Sequence, residues 1–98
     1  MTINKTSNGT NLTIALEGRL DTTTAPQLEA EVKNSLSDVK HLTFDFSRLD
    51  YISSAGLRVL LSAQKVMNKQ GSMRITNVNE TIMEVFDVTG FVDILTIE

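Results

Sequence analysis

Along the chain, the spacing of apolar positions switches between two and about 3.6 residues, and each switch marks a change of element. Asn8-Gly9 is a strong hairpin signal, because both central positions of a type I′ loop need positive φ. It separates a weak strand around Thr2–Thr6 from a well-marked one, where Leu12, Ile14 and Leu16 alternate with Thr13, Ala15 and Glu17 until Gly18 ends it. Thr24-Ala25-Pro26-Gln27 reads as a helix start. Thr24 is the cap, Gln27 completes a capping box, and Pro26 is tolerated in the first turn, where its missing N–H has no partner to lose. Leu28, Val32 and Leu36 follow at spacing four, as one core-facing stripe.

Alternation resumes over His41–Phe46, with Leu42, Phe44 and Phe46 on one face. After a loop over Ser47–Ser54, a second helix starts at Ser53 or Ser54 and runs to about Gln70, with Gly71 as its stop. Arg58, Ser62, Lys65 and Lys69 share a narrow polar face of that helix, and Leu57, Leu60, Leu61, Ala63, Val66 and Met67 fill much of the rest. Met73–Thr76 is a short strand. Asn79 caps a third helix carrying Ile82, Val85 and Phe86, and Gly90 ends it with Phe91 packed back on Phe86. Ile94, Leu95 and Ile97 suggest a last strand.

The order β-β-α-β-α-β-α-β makes this an α/β chain. Strands joined by helices must be parallel, with right-handed crossovers, so the sheet is mixed and largely parallel after its opening hairpin. In such sheets the usable crevice lies beyond the carboxyl ends of the strands. Three loops should meet there: Arg19–Thr23, Ser47–Ser54 and Asn77–Val78.

Composition narrows the function. Ninety-eight residues fit one domain, and 41 % hydrophobic content supplies one modest core. Nine basic against twelve acidic residues give a net charge of −3, which argues against a surface built for nucleic acid or anionic lipid. There is no cysteine and one histidine, His41, so disulfide chemistry is excluded and little remains for a nitrogen or sulfur metal site. Met1–Lys5 lacks the apolar core of a signal peptide, and no apolar run is long enough to span a bilayer, so a cytoplasmic location without membrane insertion is expected. A Walker-type glycine loop and a paired acid–base arrangement are both missing, which argues against an enzyme.

The most informative stretch is Asp45-Phe46-Ser47-Arg48-Leu49-Asp50-Tyr51-Ile52-Ser53-Ser54-Ala55-Gly56-Leu57. It sets two hydroxyls at the start of a helix that follows a buried strand. A helix N-terminus offers unpaired N–H groups and partial positive charge, which favour a bound or covalent phosphate; a serine there also commonly serves only as a cap. With Gly18-Arg19-Leu20-Asp21 upstream and Phe86-Asp87-Val88-Thr89-Gly90-Phe91 downstream, this stretch resembles the STAS family of bacterial anti-sigma-factor antagonists. The resemblance runs from the first hairpin to Phe91 in order and spacing, and implies a single STAS domain over residues 1–98.

The resemblance further implies a partner-switching regulator of transcription. In that family an anti-sigma factor with serine-kinase activity phosphorylates a serine at the position of Ser54 here, with Ser53 as a rival acceptor. The unphosphorylated form binds the anti-sigma partner, phosphorylation inactivates it, and a PP2C-type phosphatase restores it. No cofactor is implied. Asp21, Ser53, Ser54, Gly56 and Arg58 are the expected partner-binding residues. For Asp21 the alternative is a turn aspartate bonded to local backbone, and for Gly56 a packing role. Asp45 is read as solvent-facing or structural, and the stripe of Arg58, Lys65 and Lys69 as a solvated face or a contact for an acidic partner. Two departures stand out: Ser53 replaces the aspartate that precedes the acceptor in many members, and many members carry a further helix beyond the position of Glu98. The alternative function is a constitutive subunit of a larger assembly, transporter-associated or stressosome-like, without a phospho-switch.

Overall fold

The hairpin forms, one residue away from its expected loop. In the computed structural model, which describes residues 1–98, β1 (Thr2–Asn8) and β2 (Asn11–Leu20) pair antiparallel, and Asn8 faces Asn11. The loop residues are therefore Gly9 and Thr10, and only Gly9 has positive φ, at 63°. That pattern suits a type II′ loop, which needs left-handed backbone at its first position alone.

β3 (His41–Ile52) lies parallel to β2, and β4 (Ser72–Thr76) lies parallel to β3, so the sheet order is β1-β2-β3-β4. Between the strands run α1 (Ala25–Ser35) and α2 (Ser54–Gln70), and α3 (Glu80–Thr89) follows β4. The expected mixed, largely parallel α/β sheet with crossover helices is present. Leu12, Ile14, Leu16, Leu42, Phe44 and Phe46 line one sheet face and join the helical Leu28, Val32, Leu60, Met67, Ile82 and Phe86 in one apolar cluster of 23 buried residues. The opposite face carries Thr13, Glu17, Thr43, Asp45 and Arg74 and is left to solvent. No helix is long and apolar enough to cross a membrane.

Several boundaries differ from expectation, each for a local reason. β2 and β3 continue past Gly18 and Phe46, through two register shifts that put twelve residues of β3 against ten of β2. Each shift inserts one extra residue into β3, so its buried positions pass from spacing two (Leu42, Phe44, Phe46) to spacing three (Leu49, Ile52). The Ser47–Ser54 loop is therefore mostly strand, as is the start of Arg19–Thr23. Gly18, at φ 101°, sits at the second shift rather than at a strand end.

The capping box of α1 does not form. Thr24 makes no side-chain cap; its hydroxyl donates to the Arg19 carbonyl (2.8 Å) and accepts from the Asp21 N–H (2.8 Å), closing the preceding turn. Asp21 supplies the backbone cap instead, its carbonyl accepting from Ala25 N–H at 2.8 Å. Gly71 ends α2 in extended backbone (φ 178°), not in a left-handed stop. What requires glycine there is space, since a Cβ would lie 1.8 Å from the Lys40 carbonyl oxygen. The final strand shrinks to one bridge between Ile75 and Ile97. Phe91–Asp93 instead form a 3-10 turn after the left-handed Gly90, and Leu95 is the buried anchor.

Candidate functional site

Because β2 and β3 run on together, the β2–α1 and β3–α2 junctions emerge side by side. The Ser53 N–H donates to the Leu20 carbonyl at 2.9 Å, tying the start of α2 to the residue before Asp21. Asp21, Ser53 and Ser54 thus share one edge, as the parallel topology predicts. The third expected loop does not reach it. β4 ends opposite Asp45, seven residues short of the end of β3, which amounts to on the order of 20 Å of strand. Asn77 and Asn79 bind the middle of β3 instead: Asn77 Nδ2 donates to Asp45 Oδ1 (3.0 Å) and Asn79 Nδ2 to the Leu49 carbonyl (3.0 Å). Asn79 also caps α3 as expected, its Oδ1 accepting from Ile82 N–H at 2.8 Å.

The two serines have opposite settings. Ser53 is the N-cap residue, in extended backbone (φ −105°, ψ 176°), and its carbonyl accepts the first helical bond from Leu57 N–H at 3.0 Å. Its hydroxyl makes no cap bond and is buried without a partner. Ser54 is the first helical residue and is exposed. Its position leaves first-turn N–H groups unpaired beside it, and that turn holds no acidic residue. Arg58 lies four residues on along the same helix face, also exposed, at a shallow groove of about 320 Å³ shared with Thr22, Ala25, Pro26, Ala55 and Ser62.

Asp21 is held by its own turn. Its Oδ1 accepts from the Thr23 hydroxyl (2.7 Å), the Thr23 N–H (3.0 Å) and the Thr24 N–H (3.2 Å). The Thr23 hydroxyl chiefly holds the carboxyl below the usual aspartate range; desolvation opposes it, and the Thr24 and Thr23 N–H groups add to the lowering. Oδ2 remains open to Arg19, whose Nε stands 3.8 Å away. Arg19 also stacks on Tyr51, its guanidinium carbon 4.3 Å from the ring centroid. Sequence reasoning missed this Arg19–Tyr51 pair. It depends on the register shift that sets Arg19 opposite Tyr51, and no local pattern announces that.

Gly56 is buried, and a Cβ there would lie 2.7 Å from Leu20 Cγ and 2.8 Å from Ile52 Cγ1. It lets α2 settle on the strand ends, the packing role considered for it. Asp45 is structural. Its Oδ1 accepts from Asn77 Nδ2 and from the Ser47 N–H (3.0 Å), and the Asn77 amide chiefly lowers its pKa.

A family model described as the STAS domain matches residues 2–98. The protein named "Putative anti-sigma factor antagonist BtrV" of Bordetella bronchiseptica is 39 % identical over 85 residues, covering 85 % of this chain and 73 % of its own. An anti-sigma-B factor antagonist of Bacillus subtilis is 29 % identical over 91 residues, covering 92 % and 84 %. Among solved structures, an anti-sigma factor antagonist from Mycobacterium paratuberculosis superposes with a TM-score of 0.89 at 20 % identity, over 98 % of this chain and 83 % of that one.

Proposed function

The chain belongs to the STAS domain family, and on that premise we propose that it is an anti-sigma factor antagonist switched by phosphorylation of Ser54. Unphosphorylated, it binds an anti-sigma factor that is also a serine kinase, through the edge formed by Asp21, Ser54 and Arg58. Phosphate on Ser54 ends that binding, and a PP2C-type phosphatase restores it.

The observation that carries this reading is the opposed placement of the two serines. Ser54 is exposed at the first turn of α2, whereas the Ser53 hydroxyl is buried. A kinase must bring the acceptor oxygen to a phosphoryl donor, and only Ser54 offers one at the surface. The added group carries about −1.5 to −2 charges and three acceptor oxygens. Within the free protein, the N-terminus of α2 offsets about 0.3–1 kcal/mol of the cost of holding that charge. At a closed interface the same group must lose water beside the Asp21 carboxylate, at a cost of several kcal/mol, and each 1.4 kcal/mol is about tenfold in affinity. Desolvation at the interface outweighs the helix-end effect, so the fold survives phosphorylation and the interface does not.

The experiment is incubation with the cognate kinase and Mg-ATP, followed by mapping of the phosphate by mass spectrometry. Modification of Ser54 alone is the expected result. Phosphate on Ser53, or none on either serine, would contradict the proposal, and the second outcome would favour a constitutive subunit of a larger assembly.

A further inference from the structure

Past the reach of β1 and β4 the sheet narrows to two strands. β1 begins opposite Glu17 and β4 ends opposite Asp45, so the last residues of β2 and β3 go on together as a two-stranded tongue. Asp21 and Ser53 follow directly at its tip. Leu20 and Ile52 pair on the tongue with both side chains in the apolar cluster. Their neighbours Arg19 and Tyr51, also a pair, therefore point to the opposite face, where no further strand lies alongside. The Arg19 side chain is 61 % exposed, and Tyr51 is half-buried beneath it.

The ring holds the guanidinium over its face, 4.3 Å from the centroid, without taking any of its donors. The one carboxylate near it is Asp21, whose Oδ2 stands 3.8 Å from Nε, beyond hydrogen-bond reach. Asp21 Oδ1 is spent on its own turn. The two Nη groups of Arg19 thus enter no hydrogen bond or ion pair within the chain. A partner that closes over Asp21 also takes this cation from water, because the two groups lie side by side. A cation stripped of water at an interface needs a hydrogen-bonded acceptor of opposite charge, or desolvation outweighs the contact. Asp21, at its distance, lends charge but no hydrogen bond.

We infer that Arg19, held on Tyr51, is a specificity-determining residue of the anti-sigma interface, its Nη groups taking a carboxylate of the partner. The inference rests on the proposed function and adds the chemistry the partner must present: an Asp or Glu side chain on the open-sheet side of the edge, away from the groove that Arg58 lines. Arginine suits this place because its planar fork meets a carboxylate with two parallel bonds while one face stays on the ring. Lysine offers a point charge and no flat face. Tyr51 is a positioning residue. It acts through Arg19, keeping a long side chain in one orientation so that less freedom is lost on binding.

The test is calorimetric binding of the full chain to its cognate anti-sigma factor, for the wild type and for Arg19→Ala, Arg19→Lys, Tyr51→Leu and Tyr51→Phe, with a thermal melt of each. Arg19→Ala should bind at least tenfold more weakly, and its affinity should fall less steeply as salt rises. Arg19→Lys should recover only part of that loss. Tyr51→Leu should also weaken binding, while Tyr51→Phe, which keeps the ring, should bind as the wild type does. All four should melt near the wild-type temperature, and Arg19→Gln takes the place of Arg19→Ala if the latter melts early. Wild-type affinity in Arg19→Ala, full recovery in Arg19→Lys, or equal affinities of Tyr51→Leu and Tyr51→Phe would overturn the inference. None of these touches the phospho-switch, which stands as long as phosphate on Ser54 ends wild-type binding. A wild type with no affinity for the anti-sigma factor would overturn the proposed function, and the inference with it.

Discussion

At Ser53 the backbone is extended and the hydroxyl is buried without a partner, so substitution there removes a polar group that gains nothing from the fold. Loss of a working N-cap costs about 0.5–2 kcal/mol, whereas removing an unsatisfied hydroxyl is close to neutral. Ser53→Ala is therefore expected to shift stability by less than about 0.5 kcal/mol in urea titration, with kinase modification of Ser54 intact. Ser54→Ala should leave stability equally unchanged and abolish phosphorylation. A loss above that size for Ser53→Ala would show that its hydroxyl caps α2 in solution. Glycine positions give a contrasting expectation. A Cβ at Gly56 meets Leu20 Cγ and Ile52 Cγ1, side-chain atoms rather than backbone, so repacking can relieve it for about 1–3 kcal/mol. At Gly71 it meets the Lys40 backbone at 1.8 Å, which cannot shift without moving the whole β3 entry. Gly71→Ala should thus lower the urea midpoint more than Gly56→Ala, and the reverse order would contradict these contacts.

At the scale of elements, much was legible because the signals were local. The stripe Leu28, Val32, Leu36 is buried as its spacing of four requires, and the Asn79 cap and the left-handed Gly90 stand where their residue types place them. What was illegible depends on pairing between distant strands. The extension of β3 is hidden because its two register shifts break the period that identifies a strand, and only β2 alongside reveals them. The furthest consequence is at the crevice, where two loops meet rather than three. Ser53 and Ser54 could not be told apart from sequence, since the burial of one hydroxyl is set by how α2 seats over Gly56 on β2 and β3. The Asp45 clasp between the β3 shift and the β4–α3 loop gives a pH test. Its pKa is lowered in the fold, so its contribution is fully present above the unfolded value of about 3.9 and is lost as pH falls through the lower folded value. Asp21 contributes with the same sign. Asp45→Asn should therefore show a smaller drop in urea midpoint between pH 7 and pH 3 than the wild type. An equal drop would place the acid sensitivity elsewhere.

For the whole molecule, the proposed switch rests on keeping the Ser54 hydroxyl apart from the apolar cluster. Ser54 is exposed and stands outside the apolar cluster, and Asp21 commits one carboxylate oxygen to its own turn while leaving the other facing Arg19. On the proposed switch, a charge added at Ser54 therefore meets a bound partner rather than the core. The most direct test compares the wild-type protein, unphosphorylated and stoichiometrically phosphorylated on Ser54, in calorimetric binding to its anti-sigma factor, with thermal melts of both forms alongside. The phosphorylated form should bind at least tenfold more weakly, with a nearly unchanged melting temperature. Equal affinities, or a loss of binding that tracks a loss of folded protein, would contradict a switch that acts at the interface.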